Sequence, residues 1–141
     1  MADRIRVLFL CTHNSARSQI AEALLQHYGG GDFDVASAGT EETTVNPFAI
    51  RVLADAGIDW SRAQSKTIDR FLGERFDYVI TVCDRARESC PVFPGSENTL
   101  HWGLDDPSEA GGTDAEKLDA FRRTREELAA RLRPFIDAAR A

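Results

Sequence analysis

The chain has 141 residues, of which 43% are hydrophobic, and this suits one globular domain spanning residues 1–141 with a core of its own. Its net charge of −6 argues against a nucleic-acid partner, because nucleic-acid-binding proteins present a basic face. No segment has the length of a membrane span, and the first apolar run suits a strand better than a signal peptide, so we expect a cytoplasmic protein without membrane association.

Short apolar segments alternate with helical patterns along the chain. This alternation predicts βαβ units and therefore an α/β fold, in which an open four-stranded parallel sheet is flanked by helices. Ligands bind such sheets at the carboxyl ends of the strands. Pro134 is expected to kink or loosen the last turn of the final helix. The predicted strands are residues 4–10, 33–37, 78–82 and 98–102, and the predicted helices are residues 16–28, 47–56, 67–72 and 113–139.

Cys11 follows the first predicted strand and stands just before the first predicted helix. The first N–H groups of a helix lack intrahelical partners, and the helix dipole favours negative charge, so this position stabilises both a thiolate and a bound oxyanion. We therefore expect Cys11 to be an ionised nucleophile in an anion-binding loop. The loop residues are Thr12, His13, Asn14, Ser15, Ala16 and Arg17.

Three nearby side chains would assist this cysteine. Arg17 carries a planar guanidinium that can hold two oxygens of a tetrahedral anion, and Ser18 can donate its hydroxyl to the Cys11 sulfur. Asn14 tolerates the left-handed conformation that a tight loop needs. The alternative is that Cys11 is an ordinary buried cysteine at a strand end, but this explains neither Arg17 nor the polar run before it.

The predicted strand, the sequence Cys-x5-Arg-Ser at residues 11–18 and the following helix together resemble the low-molecular-weight phosphotyrosine phosphatase fold family. The sequence Ser-Ala-Gly-Thr at residues 37–40 and the pair Asp106-Pro107 extend the resemblance over most of the chain. Phosphate monoester hydrolysis and arsenate reduction both occur on this scaffold. The resemblance therefore implies one of these two activities.

The other two cysteines, Cys83 and Cys90, favour arsenate reduction, because reducing As(V) takes two electrons and two thiols supply them by forming one disulfide. Their separation resembles that of the redox pair in thioredoxin-coupled arsenate reductases. This resemblance implies that Cys11 attacks arsenate, Cys83 expels arsenite and Cys90 then frees Cys11. Reduced thioredoxin would be the electron donor, with no bound cofactor. Phosphate and sulfate are the candidate competing anions, and we expect a monomer.

The segment between these cysteines would have to change shape during such a cycle. If residues 83–90 form a helix, the two cysteine Cα atoms lie about 10 Å apart, whereas a disulfide needs them within about 7 Å. Oxidation would therefore unwind the segment, which is polar and loses little apolar burial. A structural disulfide is rare in reducing compartments, and no zinc-ligand spacing flanks the pair. Two unrelated buried thiols remain an alternative.

The remaining implied site residues lie on either side of the anion-binding loop. Pro107 biases Asp106 toward an extended conformation, and the resemblance implies that Asp106 is the general acid that protonates the leaving oxygen. Asp105 is the local alternative. The resemblance also implies that Asn14 and Ser37 together support the loop.

Some related reductases bind potassium beside this loop, through residues that match Asn14, Glu22 and Ser37 and a carboxylate near Ser65. In this chain that stretch contains Lys66, whose ammonium would take the place of the ion. We therefore expect no potassium site and no other metal.

Two other functions fit part of the pattern. A tyrosine phosphatase would use the same loop, but the residues after Pro107 lack the aromatic pair that often lines a phosphotyrosine cleft, so only weak phosphatase activity is expected. A redox sensor would use Cys83 and Cys90 but leaves Arg17 and Asp106 without a role. No chemistry is assigned to the three histidines, His13, His27 and His101.

Overall fold

The computed structural model describes residues 4–84 and 91–141. Cys90, and the predicted change of shape between residues 83 and 90, fall outside the described residues. The strands are β1 (Ile5–Leu10), β2 (Phe33–Ala38), β3 (Phe76–Thr81) and β4 (Ser96–His101). The α-helices are α1 (Arg17–Gly29), α2 (Pro47–Asp55) and α3 (Asp114–Arg140), and short 3₁₀ helices cover Gly30–Asp32, Ile68–Phe71 and Pro107–Glu109.

The strands form one parallel sheet in the order β2-β1-β3-β4, which confirms the predicted fold. Leu10 at the end of β1 pairs with Ala38 of β2 on one side and with Thr81 of β3 on the other. Because the strands are parallel and in register, the residues that follow β1, β2 and β3 lie beside one another. The first two βα turns and the turn after β3 therefore share one edge of the sheet.

The sheet is covered on both faces. Val7 and Phe9 point to the larger hydrophobic cluster, in which α1, α2 and α3 contribute buried side chains. Leu8 and Leu10 alternate to the other face, where they join a smaller cluster that includes Phe76. β1 is thus buried on both faces, which explains its continuous apolar sequence.

The first residues of two strands differ from the prediction. β3 and β4 begin at Phe76 and Ser96, each two residues earlier than expected, and these two residues pair with each other. Phe76 is 1% exposed and its ring packs against Phe71 and Phe93. Tertiary packing of this ring extends the strand beyond the run that the sequence pattern indicates.

The final turn of α3 is not loosened at Pro134, because the helix continues to Arg140, while the kink that was the other expectation stays a prediction. Pro134 removes one N–H donor, but the next residue, Phe135, packs its ring 5.0 Å from Tyr78 and 5.7 Å from Trp102. The Arg140 guanidinium also donates to the carbonyl oxygen at the end of α1, at 2.8 Å. These contacts hold the final turns on the sheet.

Within the described ranges, no helix combines the length and apolar character that crossing a membrane requires.

Candidate active site

The candidate site lies at the carboxyl edge of the sheet. Cys11 directly follows β1, and its backbone N–H donates to the Ala38 carbonyl at 3.2 Å. On the other side, the Val82 N–H donates to the Leu10 carbonyl at 2.9 Å, which continues the pairing of β1 and β3. Cys83 is the next residue; it is fully buried and belongs to the same hydrophobic cluster as Cys11. Two of the three cysteines are therefore brought to the same edge.

Two hydrogen-bond donors converge on the Cys11 sulfur. The Asn14 backbone N–H donates to Sγ at 3.2 Å, and the Ser18 Oγ lies 2.8 Å from it. The Ser18 oxygen accepts from Asn14 Nδ2 at 2.8 Å, which leaves its own proton for the sulfur. Cys11 is only 2% exposed. Because donors stabilise the charged form, this environment suits a thiolate nucleophile.

Asn14 is the central residue of the loop. It has a φ of 52°, the left-handed conformation expected for it, and its side chain is fully buried. Its Nδ2 also donates to Ser37 Oγ at 2.8 Å, while its Oδ1 accepts from the Lys66 N–H at 2.7 Å and from Gln19 Nε2 at 2.9 Å. The amide thus ties the loop to β2, to α1 and to the 64–67 stretch.

The carbonyl groups of the first four loop residues are all held by donors that lie beyond those residues. In a trans peptide the C=O and the following N–H point in opposite directions, so outward carbonyls turn the N–H groups inward. Inward N–H groups at the start of a helix form a cradle for an oxyanion. The carbonyl oxygens of Thr12, His13, Asn14 and Ser15 accept from Thr40 N (2.9 Å), Thr43 Oγ1 (3.0 Å), Gln19 Nε2 (3.2 Å) and Asn46 N (2.8 Å), respectively.

Gly39 allows the loop to lie against the end of β2. A Cβ atom at this position would come within 2.7 Å of the Thr12 carbonyl oxygen and 2.8 Å of the Asn14 nitrogen. Any side chain would therefore displace the loop backbone, which gives a physical reason for glycine in the sequence Ser-Ala-Gly-Thr.

Arg17 and Asp106 meet beside the loop. Arg17 is 2% exposed; its Nη1 donates to the Leu104 carbonyl at 3.0 Å and its Nη2 lies 3.6 Å from Asp106 Oδ2. The other Asp106 oxygen accepts from the Ser108 N–H and hydroxyl, so the carboxylate is held in place. Asp105 is exposed. A cavity of ≈ 550 Å³ opens beside Asp106.

A buried polar network supports the loop through Ser37 and Lys66, which both contact Asn14. Ser37 Oγ donates to Glu22 Oε1 at 2.5 Å, and Lys66 Nζ lies 3.5 Å from the same oxygen and donates to the Gln64 carbonyl at 3.0 Å. Burial raises the pKa of Glu22, while the charge of Lys66 and the Ser37 hydrogen bond oppose that rise. Among the described residues, no group of three or more His, Cys, Asp or Glu side chains is arranged to hold a metal.

Sequence reasoning missed three residues that contact the loop: Gln19, Thr43 and Ser65. Gln19 is fully buried on α1, where it bonds Asn14 and accepts from Trp60 Nε1 at 2.9 Å. A polar residue among the apolar side chains of α1 was the available signal for it. The other two residues contact the loop from distant segments, and no local sequence pattern marks them.

Two of the histidines, to which no chemistry is assigned, have polar neighbours. His13 lies 3.5 Å from Glu41 and His101 lies 2.7 Å from the Thr81 hydroxyl.

The chain is similar to known proteins along most of its length. Residues 6–141 match the family described as low molecular weight phosphotyrosine protein phosphatase. A relative named arsenate reductase from Halalkalibacterium halodurans is 45% identical over 131 residues, which cover 93% of this chain and 94% of the relative. A solved structure of an arsenate reductase in the phosphate binding state superposes with a TM-score of 0.81 at 33% identity, covering 95% of this chain and 98% of that one.

A further solved structure is that of a thioredoxin-dependent arsenate reductase from Corynebacterium glutamicum. It superposes with a TM-score of 0.68 at 30% identity. The match covers 99% of this chain and 65% of that protein.

Proposed function

The chain belongs to the low molecular weight phosphotyrosine protein phosphatase family, and from this premise we propose that it is a thioredoxin-coupled arsenate reductase. The observation that carries the proposal is the position of Cys83, a second buried cysteine in the same cluster as Cys11. Hydrolysis of a phosphate ester needs only one nucleophilic cysteine, whereas arsenate reduction takes two electrons, which a second thiol beside the first can supply. The names of the similar proteins support the same choice.

The first step uses the anion-binding loop. Arsenate binds against the inward N–H groups and the Arg17 guanidinium, and the Cys11 thiolate attacks arsenic to form an S–As bond. An arsenic-bound oxygen leaves as water, with Asp106 as the group that supplies its proton. Ser18 stabilises the thiolate before the attack.

The later steps transfer two electrons to arsenic. Cys83 attacks the Cys11 sulfur, an S–S bond forms, and the electron pair of the S–As bond passes to arsenic, which leaves as arsenite. Cys90 then attacks Cys83 and releases the Cys11 thiolate. The dithiol of reduced thioredoxin reduces the Cys83–Cys90 disulfide and is itself oxidised, so that each arsenate consumes two electrons.

The proposed cycle also has consequences for the cellular compartment, the cofactor requirement and the competing anions. We place the protein in the cytoplasm as a monomer, where a reducing environment keeps its thiols available. It needs no bound cofactor, because thioredoxin supplies the electrons. Phosphate and sulfate are tetrahedral anions and compete with arsenate for the loop.

The deciding experiment measures NADPH oxidation by the purified protein with arsenate, thioredoxin and thioredoxin reductase, beside hydrolysis of para-nitrophenyl phosphate. We expect NADPH oxidation that requires both arsenate and thioredoxin, with weak phosphatase activity. Strong ester hydrolysis without arsenate-dependent oxidation would make the protein a phosphatase. Cys83 would then need another explanation.

Replacing Arg17 with lysine is expected to lower kcat/KM for arsenate by about 100-fold or more. The Leu104 carbonyl and Asp106 orient the guanidinium, and an ammonium cannot reproduce this planar geometry although it keeps the charge. Initial rates over a range of arsenate concentrations measure the effect. Arg51→Lys, at an exposed position on α2, is the matched control and should leave the rates unchanged. Near-normal kcat/KM in Arg17→Lys would remove Arg17 from the mechanism.

We also propose that the Lys66 ammonium replaces the potassium ion of some related reductases. The residues fit an ammonium in this place, because Lys66 Nζ is within 3.5 Å of Glu22 and donates to the Gln64 carbonyl. A cation there offsets the charge of Glu22, which in turn accepts from Ser37. The network then holds Asn14 through Ser37.

Replacing Lys66 with methionine is expected to destabilise the protein in a pH-dependent way. Burial already raises the pKa of Glu22 above its ordinary value of 4.5, and loss of the Lys66 charge raises it further. The two proteins therefore differ least at acidic pH, where Glu22 is protonated in both. As the pH rises through the raised pKa, the loss grows to about 1–3 kcal/mol. Urea unfolding at pH 5 and pH 8 measures it.

The matched control is Lys117→Met, which removes the other lysine of the chain and should show no such pH dependence. A loss in Lys66→Met that is equal at both pH values would contradict the pairing with Glu22. Potassium chloride should stabilise the wild-type protein no more than sodium chloride does. A specific potassium effect would show that Lys66 does not take the ion's place.

A further inference from the structure

Two hydroxyl groups from distant segments hold the carbonyl group of His13. Thr43 Oγ1 donates to the His13 oxygen at 3.0 Å and Ser65 Oγ donates to it at 3.2 Å. The Thr43 backbone N–H donates to the Ser65 oxygen at 3.0 Å, which leaves the Ser65 proton for the carbonyl. The three hydrogen bonds form one clamp outside the anion-binding loop.

The clamp determines the direction of the peptide between His13 and Asn14. With the carbonyl oxygen held outward, the Asn14 N–H points inward, where it donates to the Cys11 sulfur at 3.2 Å. The hydrogen bond that reaches the nucleophile is therefore the other end of the peptide that Thr43 and Ser65 hold. Both hydroxyls donate to the His13 oxygen and so act on the sulfur through this peptide.

The present orientation of the peptide gives Asn14 a positive φ, which few residues adopt without supporting contacts. Its φ of 52° is uncommon for any residue with a side chain. A flip of the peptide would carry this angle to about −130°, on the negative side where φ of most residues lies. The flipped peptide would also turn the His13 oxygen toward the Cys11 thiolate, where it repels the charge. The hydrogen bonds to the His13 oxygen thus oppose a flip that would remove the Asn14 N–H from the sulfur.

We propose that Thr43 and Ser65 are positioning residues that keep this peptide in the orientation required by the Cys11 thiolate. The proposal deepens the proposed function and rests on it only in taking Cys11 as the nucleophile. They act through the His13 carbonyl, and their loss lowers the fraction of Cys11 that is ready to react.

The test is the rate at which iodoacetate alkylates Cys11 at pH 6 in the reduced protein. Iodoacetate is an anion with an electrophilic carbon, so it probes the loop without arsenate or thioredoxin. Digestion with trypsin isolates Cys11 in the peptide of residues 7–17, and mass spectrometry follows its modification. The isosteric variant Thr43→Val should react about 2- to 10-fold more slowly than wild type, the range expected for one lost hydrogen bond.

Two further variants separate the hydroxyl from the shape of the side chain. Thr43→Ser keeps the hydroxyl and should restore the rate. Thr44→Val makes the same chemical change one residue along the chain and should react like wild type. The proposal is overturned if Thr43→Val reacts at the wild-type rate, or if Thr43→Ser is as slow as Thr43→Val.

A second variant tests the same proposal in case Thr43→Val fails to fold. Ser65→Ala removes the other hydroxyl and should slow alkylation in the same direction. Because Thr43 also bonds Ser65, the double variant should lose less than the two single effects combined. Alkylation requires no arsenate turnover, so a protein inactive in the NADPH assay would disprove the proposed function and still report on the clamp.

Discussion

Replacement of Cys11 with serine is expected to abolish arsenate-dependent NADPH oxidation and phosphate-ester hydrolysis together, by about 1,000-fold or more. The reason lies in the neighbours of the sulfur. The Asn14 N–H and the Ser18 hydroxyl are arranged as donors, which stabilise an existing thiolate. A serine hydroxyl stays protonated at neutral pH and would need a base, and neither neighbour can accept its proton as a base does. The coupled assay and the ester assay measure both activities.

The control for Cys11→Ser is anion binding. The cradle consists of backbone N–H groups and Arg17, which this change leaves in place, so phosphate should still raise the thermal unfolding temperature of the variant. Loss of turnover with retained phosphate binding assigns the defect to the nucleophile. Turnover near the wild-type level would refute Cys11 as the attacking group. Loss of turnover with an intact oxidation response at Cys83 and Cys90 would instead favour the redox-sensor alternative.

The parts of the site that sequence reasoning predicted are those encoded locally. Cys11, Asn14 and Ser18 all lie within the strand-loop-helix unit of residues 5–29, so their proximity follows from the chain order alone. The parallel sheet was predictable for a similar reason, because alternation of strands and helices restricts the topology. Ser37 was reached only through the family resemblance, since it meets Asn14 across two adjacent strands.

The parts that sequence reasoning missed depend on contacts between distant segments. Thr43 and Ser65 lie 30 and 52 positions from the carbonyl that they hold, and neither stands in a pattern that marks it. The Leu104 carbonyl that orients Arg17 is 87 positions away and is a backbone group, so no side-chain motif could reveal it. The helical final turn after Pro134 could not be predicted from local helix chemistry, because it packs through Phe135 against Tyr78 and Trp102.

Replacement of Cys90 with serine is expected to limit the protein to about one arsenite per chain, with a steady-state rate at least about 100-fold below wild type. Cys11 and Cys83 would complete the first reduction and remain joined by a disulfide. Cys11 is 2% exposed and Cys83 is fully buried, so we expect a bond between these two sulfurs to be out of reach of thioredoxin. In the proposed relay, Cys90 passes the oxidation to a bond that thioredoxin can attack.

Mass mapping of alkylated, quenched samples should find the tryptic peptides of residues 7–17 and 76–85 joined in Cys90→Ser. Cys83→Ser is the informative contrast, because it should release no arsenite at all. The two variants remove one thiol each and differ in where the cycle stops, so a general loss of stability cannot imitate the pattern. Normal turnover of Cys90→Ser with thioredoxin would mean that the reductant attacks the Cys11–Cys83 bond directly. The carboxyl edge of the sheet would then have to open so that the reductant could reach the two buried sulfurs. A two-cysteine cycle would replace the three-cysteine relay.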